Sequence, residues 1–195
     1  MIRVGITGGI GSGKTTICRL FELLNVPIYY ADSEAKKLLD ENQNVKTAII
    51  NKFGSVIIDD AGVIDKKKLG TLVFNNKEML EQLNLIVHPA VAKHFEDWCI
   101  QHETNIYILH EAAILFESGG DKHVDKVITV VAPLELKIER AMKRDSVLRE
   151  QVEQRINNQM SDDKKVKLSQ FVIYNDEQQL LIPQVIAIHK QLANS

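Results

Sequence analysis

Residues 5–16, "GITGGIGSGKTT", place five glycines in nine positions and then stop at a lysine and two threonines. A glycine run is a poor interior for helix or strand, because each glycine has more backbone freedom to lose on ordering. Its flanks give it meaning. The short apolar run "RVGIT" (3–7) leads in, and "TTICRLFELL" (15–24) leads out with Ile17, Leu20, Phe21 and Leu24 at helical spacing. The expected order is strand, loop, helix, and the loop from Gly8 to Thr15 satisfies G-x-x-x-x-G-K-[ST]. A phosphate chain needs several backbone N–H groups aimed at one concavity, with chain reversals and close approach that side chains would block. The helix N-terminus adds the positive end of its dipole. Gly9, Gly11, Ser12, Gly13, Lys14, Thr15 and Thr16 are therefore the candidate contacts to a nucleoside triphosphate. Lys14 would reach the β- and γ-phosphates, Thr15 would offer its hydroxyl to Mg²⁺, and Thr16 would lie close to the α-phosphate.

Four more apolar runs read as strands: "VPIYYAD" (26–32), "NIYILHEA" (105–112), "KVITVVA" (126–132) and "FVIYND" (171–176). They are mostly apolar and do not alternate, as expected of parallel strands covered on both faces. Helical patterns lie between them, so the fold class is α/β, a doubly wound parallel five-stranded sheet. The chain of 195 residues suits one domain. The spacing within it is uneven. Over seventy residues separate the second strand from the third, far more than a crossover needs, and "SEAKKLLDEN", "VKTAIINKFG", "KKKLGTLVF" and "MLEQLNLIVHPAVAKHFEDWCIQH" all carry helical periodicity, with "DDAGVID" as a turn between them. This predicts a helical substrate-binding insertion over about 33–103. A second excursion, about 136–166, contains "LKIERAMKRDSVLREQVEQRINNQM" and reads as a helical lid. The core is then about 1–32, 104–135 and 167–195.

A net charge of −2 gives no general attraction to nucleic acid or to an anionic membrane. Cys18 and Cys99 lack partner spacing for a metal or a disulfide framework and fall in helical patterns, so both are expected to be buried small hydrophobes in a reducing compartment. With no 18-residue apolar run and no leader pattern, the expected location is the cytoplasm.

Triphosphate binding does not name a reaction. Asp59-Asp60-Ala61-Gly62 matches D-x-x-G, but no N-K-x-D follows; "NNKEM" (75–79) lacks the aspartate, which argues against a GTPase. A small-molecule kinase explains the two insertions, which could close over one crevice and keep water from the γ-phosphoryl group. Asp32, expected at the carboxyl end of the second strand, could take a proton from an attacking hydroxyl or help hold Mg²⁺; it could also cap the following helix. Glu111 is either a carboxylate that orders a magnesium-bound water or a plain strand-end acid. Arg140 and Arg144, at i and i+4, share one helical face and could neutralise charge on the γ-phosphate. The alternative is that they are solvated or paired with Glu139, Asp145, Glu150 and Glu153.

The order of motifs resembles the dephospho-CoA kinase family over most of the chain: "GITGGIGSGKTT", "YADSEAKKLL", "GVIDKKKLGTLVF", His88-Pro89, "ILFESG" (114–119), "RAMKRD" (140–145) and "FVIYND". The resemblance implies transfer of the ATP γ-phosphoryl group to the ribose 3′-hydroxyl of dephospho-CoA. It implies ATP and dephospho-CoA as the partners, with neither nucleic acid nor membrane, in a monomer or small homo-oligomer. Asp32 would be the general base, Lys14, Arg140 and Arg144 the other catalytic groups, and Thr15 and Asp32 the Mg²⁺ site. Lys36, Lys66, His88, Phe116 and Glu117, together with Asp32, would contact the acceptor, His88 having structural packing as its alternative role. Lys36 and Lys66 stand where the family more often has arginine, or histidine at 36, and Ala113 replaces a proline. Lysine keeps the charge but lacks the planar fork of arginine. Asp176 stands where a glycine often follows the asparagine corresponding to Asn175.

Overall fold

The computed structural model describes residues 1–59, 62–74 and 76–194. Two compact units form: Met1–Tyr30 together with Cys99–Ser195, and Ala31–Trp98. The first holds five strands, β1 (Ile2–Thr7), β2 (Ile28–Tyr30), β3 (Tyr107–Glu111), β4 (Lys126–Val131) and β5 (Phe171–Tyr174). All pair in parallel, in the order β2-β3-β1-β4-β5, so β1 is central and its two neighbours cover both its edges. Helix α1 (Lys14–Glu22) follows β1, while α6 (Leu134–Asp145), α7 (Arg149–Asn157), α8 (Asp162–Leu168) and α9 (Leu181–Ala193) follow β4 and β5. This is the doubly wound sheet that the apolar runs predict.

The core explains why those runs are continuous. Val4, Ile6, Leu109, Ile128, Val130 and Ile173 from the strands pack with Ile17, Cys18 and Phe21 of α1 and with Val185, Ile188 and Leu192 of α9. Consecutive residues, hence both faces, are buried in the three inner strands β1, β3 and β4, while the outer β2 and β5 are only partly covered. Both cysteines are buried, as expected. Burial, followed by the nearby Glu111 charge, pushes the Cys18 thiol well above its ordinary range, so it stays protonated and serves as packing.

The second strand differs from its sequence reading. β2 spans Ile28–Tyr30, not 26–32, and α2 (Ala31–Glu41) begins at once. Pro27 cannot donate to a ladder, though its carbonyl still accepts from Leu109 N–H at 2.9 Å. Beyond Tyr30, alanine is the best helix former, and acids in the first turn suit the helix dipole. Asp32 therefore lies inside the first turn of α2, neither at a strand edge nor at an N-cap.

The second unit continues with α3 (Gln43–Phe53), α4 (Lys66–Phe74) and most of α5 (Lys77–Gln101). Asn42 caps α3 through its side-chain oxygen, which accepts from the N–H groups of Asn44 and Val45, and Asp65 does the same for α4 through Lys67 and Lys68. Val45, Ile49, Phe53, Ile57, Ile64, Leu69 and Val73 make this unit's own core. Asp60, Ala61 and Asn75, on which the D-x-x-G, turn and "NNKEM" readings partly rest, lie outside the described residues.

Candidate active site

β1 delivers the chain to the carboxyl edge of the sheet, and the glycine loop turns there into α1. The register sets Ile6 of β1 beside Glu111 of β3 and Ile128 of β4, so the loop opens between the ends of three strands. That is where ligands bind in open α/β sheets. Two glycines show what the loop requires. Gly11 has φ 76° and Gly13 φ 90°, both left-handed; a Cβ at Gly11 would strike the backbone carbonyl of Lys137, and one at Gly13 the side-chain amide of Asn175. Gly13 is also the N-cap of α1 and offers no side-chain cap. Thr16 N–H already donates to Gly13 O at 3.0 Å, so what the cradle presents to a ligand is the positive end of the helix, uncovered by any capping side chain.

Lys14 is buried and its ammonium curls over the loop, donating to Gly8 O at 2.9 Å and Gly9 O at 3.4 Å. Ser12 is fully buried, and its hydroxyl has no hydrogen-bond partner among the described residues. A buried orphan hydroxyl costs stability unless a ligand satisfies it. With the glycine-lined turn and the helix terminus, it makes the loop fit a polyphosphate. Thr15 and Thr16 stand exposed in the first turn of α1. Among the described residues no three His, Cys, Asp or Glu side chains cluster as a metal cage. The exposed Thr15 hydroxyl is a donor of the kind that fits Mg²⁺ held chiefly by substrate phosphates, the ion's usual manner of binding.

Residues remote in sequence hold the loop in shape. Asn175, just after β5, donates from its amide to Ser12 O at 2.8 Å. Ile10 N–H donates to the Gln159 side chain at 2.9 Å, while the Ile10 side chain packs on a small cluster of Ile138, Ala141 and Val152. The helices after β4 are therefore joined to the phosphate loop by a hydrogen bond and by apolar contact. Lys137 of α6 pairs with Asp162 of α8 at 2.6 Å. None of these partners carries a local sequence signal, since each is defined by a contact over a hundred residues away or between two helices.

Arg140 reaches Asn175 O at 3.1 Å and the Glu177 carboxylate at 2.8 Å. Arg144 is paired bidentately with Asp145, at 2.7 and 3.1 Å, and stays largely exposed. The two arginines share a helix face, yet their present partners are acids and a carbonyl rather than the phosphate loop. Glu117 accepts from Met160 N–H at 2.7 Å and from Lys165 at 3.1 Å; Lys165, fully buried, also donates to Ala113 O at 2.9 Å. Glu117 thus ties "ILFESG" to α8, and Phe116 beside it is half-buried.

The other acceptor candidates belong to the second unit. Asp32 and Lys36 are exposed on α2, and Lys66, at the start of α4, pairs with Asp40 at 2.6 Å. His88 is half-buried on α5, and burial lowers its pKa, favouring neutral imidazole.

A five-stranded parallel sheet with this loop between its central strand and first helix defines a P-loop nucleotide-binding protein of the kinase-like, doubly wound class. A shikimate kinase from Acinetobacter baumannii shares the fold at TM-score 0.56 and 19% identity, covering 100% of this chain and 94% of that one. The dephospho-CoA kinase family model, CoaE, matches residues 2–180, and the chain belongs to that family. The dephospho-CoA kinase of Bacteroides fragilis is 41% identical over 187 residues, 96% of this chain and 91% of its own. A solved structure of dephospho-CoA kinase from Campylobacter jejuni superposes at TM-score 0.72 with 30% identity, covering 98% of this chain and 97% of that one.

Proposed function

We propose that this chain transfers the γ-phosphoryl group of ATP to the ribose 3′-hydroxyl of dephospho-CoA, releasing coenzyme A and ADP. The observation that carries the reading is the braced glycine loop, with its buried lysine and orphan serine hydroxyl, in a chain whose family match runs almost end to end. In the transfer a bond forms between the 3′-oxygen and the γ-phosphorus, and the bond from that phosphorus to the β,γ-bridging oxygen breaks. The hydroxyl proton passes to a base, and ADP leaves with the bridging electrons.

Asp32 takes the base role, since a carboxylate accepts the proton once the acceptor hydroxyl is positioned. The loop amides and Lys14 hold the β- and γ-phosphates in line, which is most of what phosphoryl transfer asks of a protein. Bound Mg²⁺ supplies neutralisation of phosphate charge; Thr15 would hold it, with Asp32 as the second candidate ligand. Arg140 and Arg144 neutralise the transferring group when they exchange their acids for phosphate. Lys36, Lys66, His88, Phe116 and Glu117 contact the acceptor; for the lysines, loss of the arginine fork loosens the geometry while keeping the charge. No described helix is long and apolar enough to cross a membrane. We place the enzyme in the cytoplasm, as a monomer or small homo-oligomer, with its core, insertion and lid at the boundaries read from the sequence.

The test is ADP release from ATP and Mg²⁺ with dephospho-CoA, beside a panel of nucleoside and sugar hydroxyls. Release dependent on dephospho-CoA is expected. Turnover of another hydroxyl with none on dephospho-CoA would overturn the reading.

A further inference from the structure

Lys137 and Asp162 form an ion pair that their surroundings make costly. Their charged atoms are 2.6 Å apart, and the side chains are only 8% and 22% exposed. Moving two charges out of water costs free energy that the attraction between them only partly returns, so such a pair is weak evidence for a purely stabilising role. Its position is more informative. A Cβ built on Gly9 would lie 3.3 Å from the Lys137 ammonium and 3.3 Å from an Asp162 carboxylate oxygen. Gly9 is the residue whose carbonyl also receives Lys14 at 3.4 Å. Two lysine ammoniums therefore flank one residue of the phosphate loop, at the end where Lys14 meets the β- and γ-phosphates. A side chain at position 9 would crowd the pair, so glycine there lets the loop backbone lie directly against it.

We propose that Lys137 is a further phosphate-binding residue of this enzyme. Asp162 is the resting partner of its ammonium, and the γ-phosphoryl oxygens of ATP compete with Asp162 for it. A lysine already near its station needs little reorganisation, and its charge-assisted bond falls on the group that moves in the reaction. ADP, lacking that group, gains nothing from Lys137. The inference rests on the ATP half of the proposed function and is independent of the acceptor.

Calorimetric titration of the full chain with the β,γ-imido analogue of ATP and with ADP, Mg²⁺ present, tests it without any acceptor. Lys137→Gln should weaken the ATP analogue by roughly 10- to 100-fold, the worth of one hydrogen bond to a charged group, and ADP by less than about twofold. Lys137→Arg should recover most of the loss. Asp162→Asn removes the competitor, so the ATP analogue should bind as well as or better than in the parent, with ADP unchanged. Equal weakening of both nucleotides in Lys137→Gln would reduce the pair to a structural brace and overturn the proposal. If Lys137→Gln does not fold, Asp162→Asn decides alone, and loss of affinity for the ATP analogue there overturns it. Failure of the dephospho-CoA assay with the nucleotide contrast intact would strike the acceptor reading only.

Discussion

At the residue scale, function is divided between backbone and charge. Gly11 and Gly13 matter for what they lack, because a Cβ at either would collide with the element bracing the loop. Lys14 matters for its ammonium, already turned onto the loop carbonyls. In the proposed reaction Asp32 is the base, and its substitution should separate binding from catalysis. Asp32→Asn keeps the shape and removes the proton acceptor. It should lower kcat by about 10²- to 10⁴-fold, the usual contribution of a positioned base, with ATP affinity nearly unchanged. Steady-state kinetics with parallel ATP titration checks this; an unchanged kcat would remove Asp32 from the base role.

At the scale of elements, the helices after β4 are organised around the loop. Ile10 reaches the cluster of Ile138, Ala141 and Val152, so α6 and α7 and the phosphate loop share apolar contact. α8 carries two buried ties, Asp162 to Lys137 at the loop and Lys165 to Ala113 and Glu117 in the "ILFESG" segment. Val152 is fully buried in that cluster. Val152→Ala deletes two methyl groups and should cost roughly 2 kcal/mol, at about 0.8 kcal/mol for each buried carbon plus a cavity term. Because the same cluster seats Ile10, the variant should also raise KM for ATP. Denaturant unfolding and kinetics together check it, and a stability loss with an unaltered KM would detach the cluster from the loop.

At the scale of the whole molecule, the chain divides into two units with separate cores, one discontinuous in sequence and one not. The discontinuous unit holds a device that makes its stability fall in acid. His110 is buried in β3, edge-on to Tyr29 at 5.4 Å. Burial, helped by the charge of His123, pushes its pKa down from 6.5 to about 4. Above the ordinary value both folded and unfolded chains carry neutral imidazole, and the full stability is present. As the pH falls from about 6.5 toward 4, only the unfolded chain takes up the proton, so stability drops by up to about 1.4 kcal/mol per pH unit. His110→Gln removes this linkage. The stability advantage of the parent over the variant should therefore shrink by about 1–2 kcal/mol between pH 7 and pH 5, read by urea unfolding at each pH. A constant difference would contradict it.

Much of this protein was legible in order along the chain, because the signals involved are local. A phosphate loop is a run of residues that must adopt particular backbone angles, and a parallel strand is a run that must be apolar on both faces, so each announces itself in sequence. The five strands, the helix after the loop and the surplus helical residues after β2 and β4 all follow from such local rules. The boundary at Asp32 did not, since the competition between strand and helix there is settled by how far β3 pairs with β2. The partners of the site's charges were also hidden: Arg140 with Glu177, Lys137 with Asp162, Lys165 with Ala113 and Glu117, Asn175 with Ser12. A charged side chain has no preferred partner until the fold brings one within reach and removes the water between them. The sequence by itself determined that this chain holds a triphosphate. Which side chains brace the loop that holds it was decided by packing across the sheet.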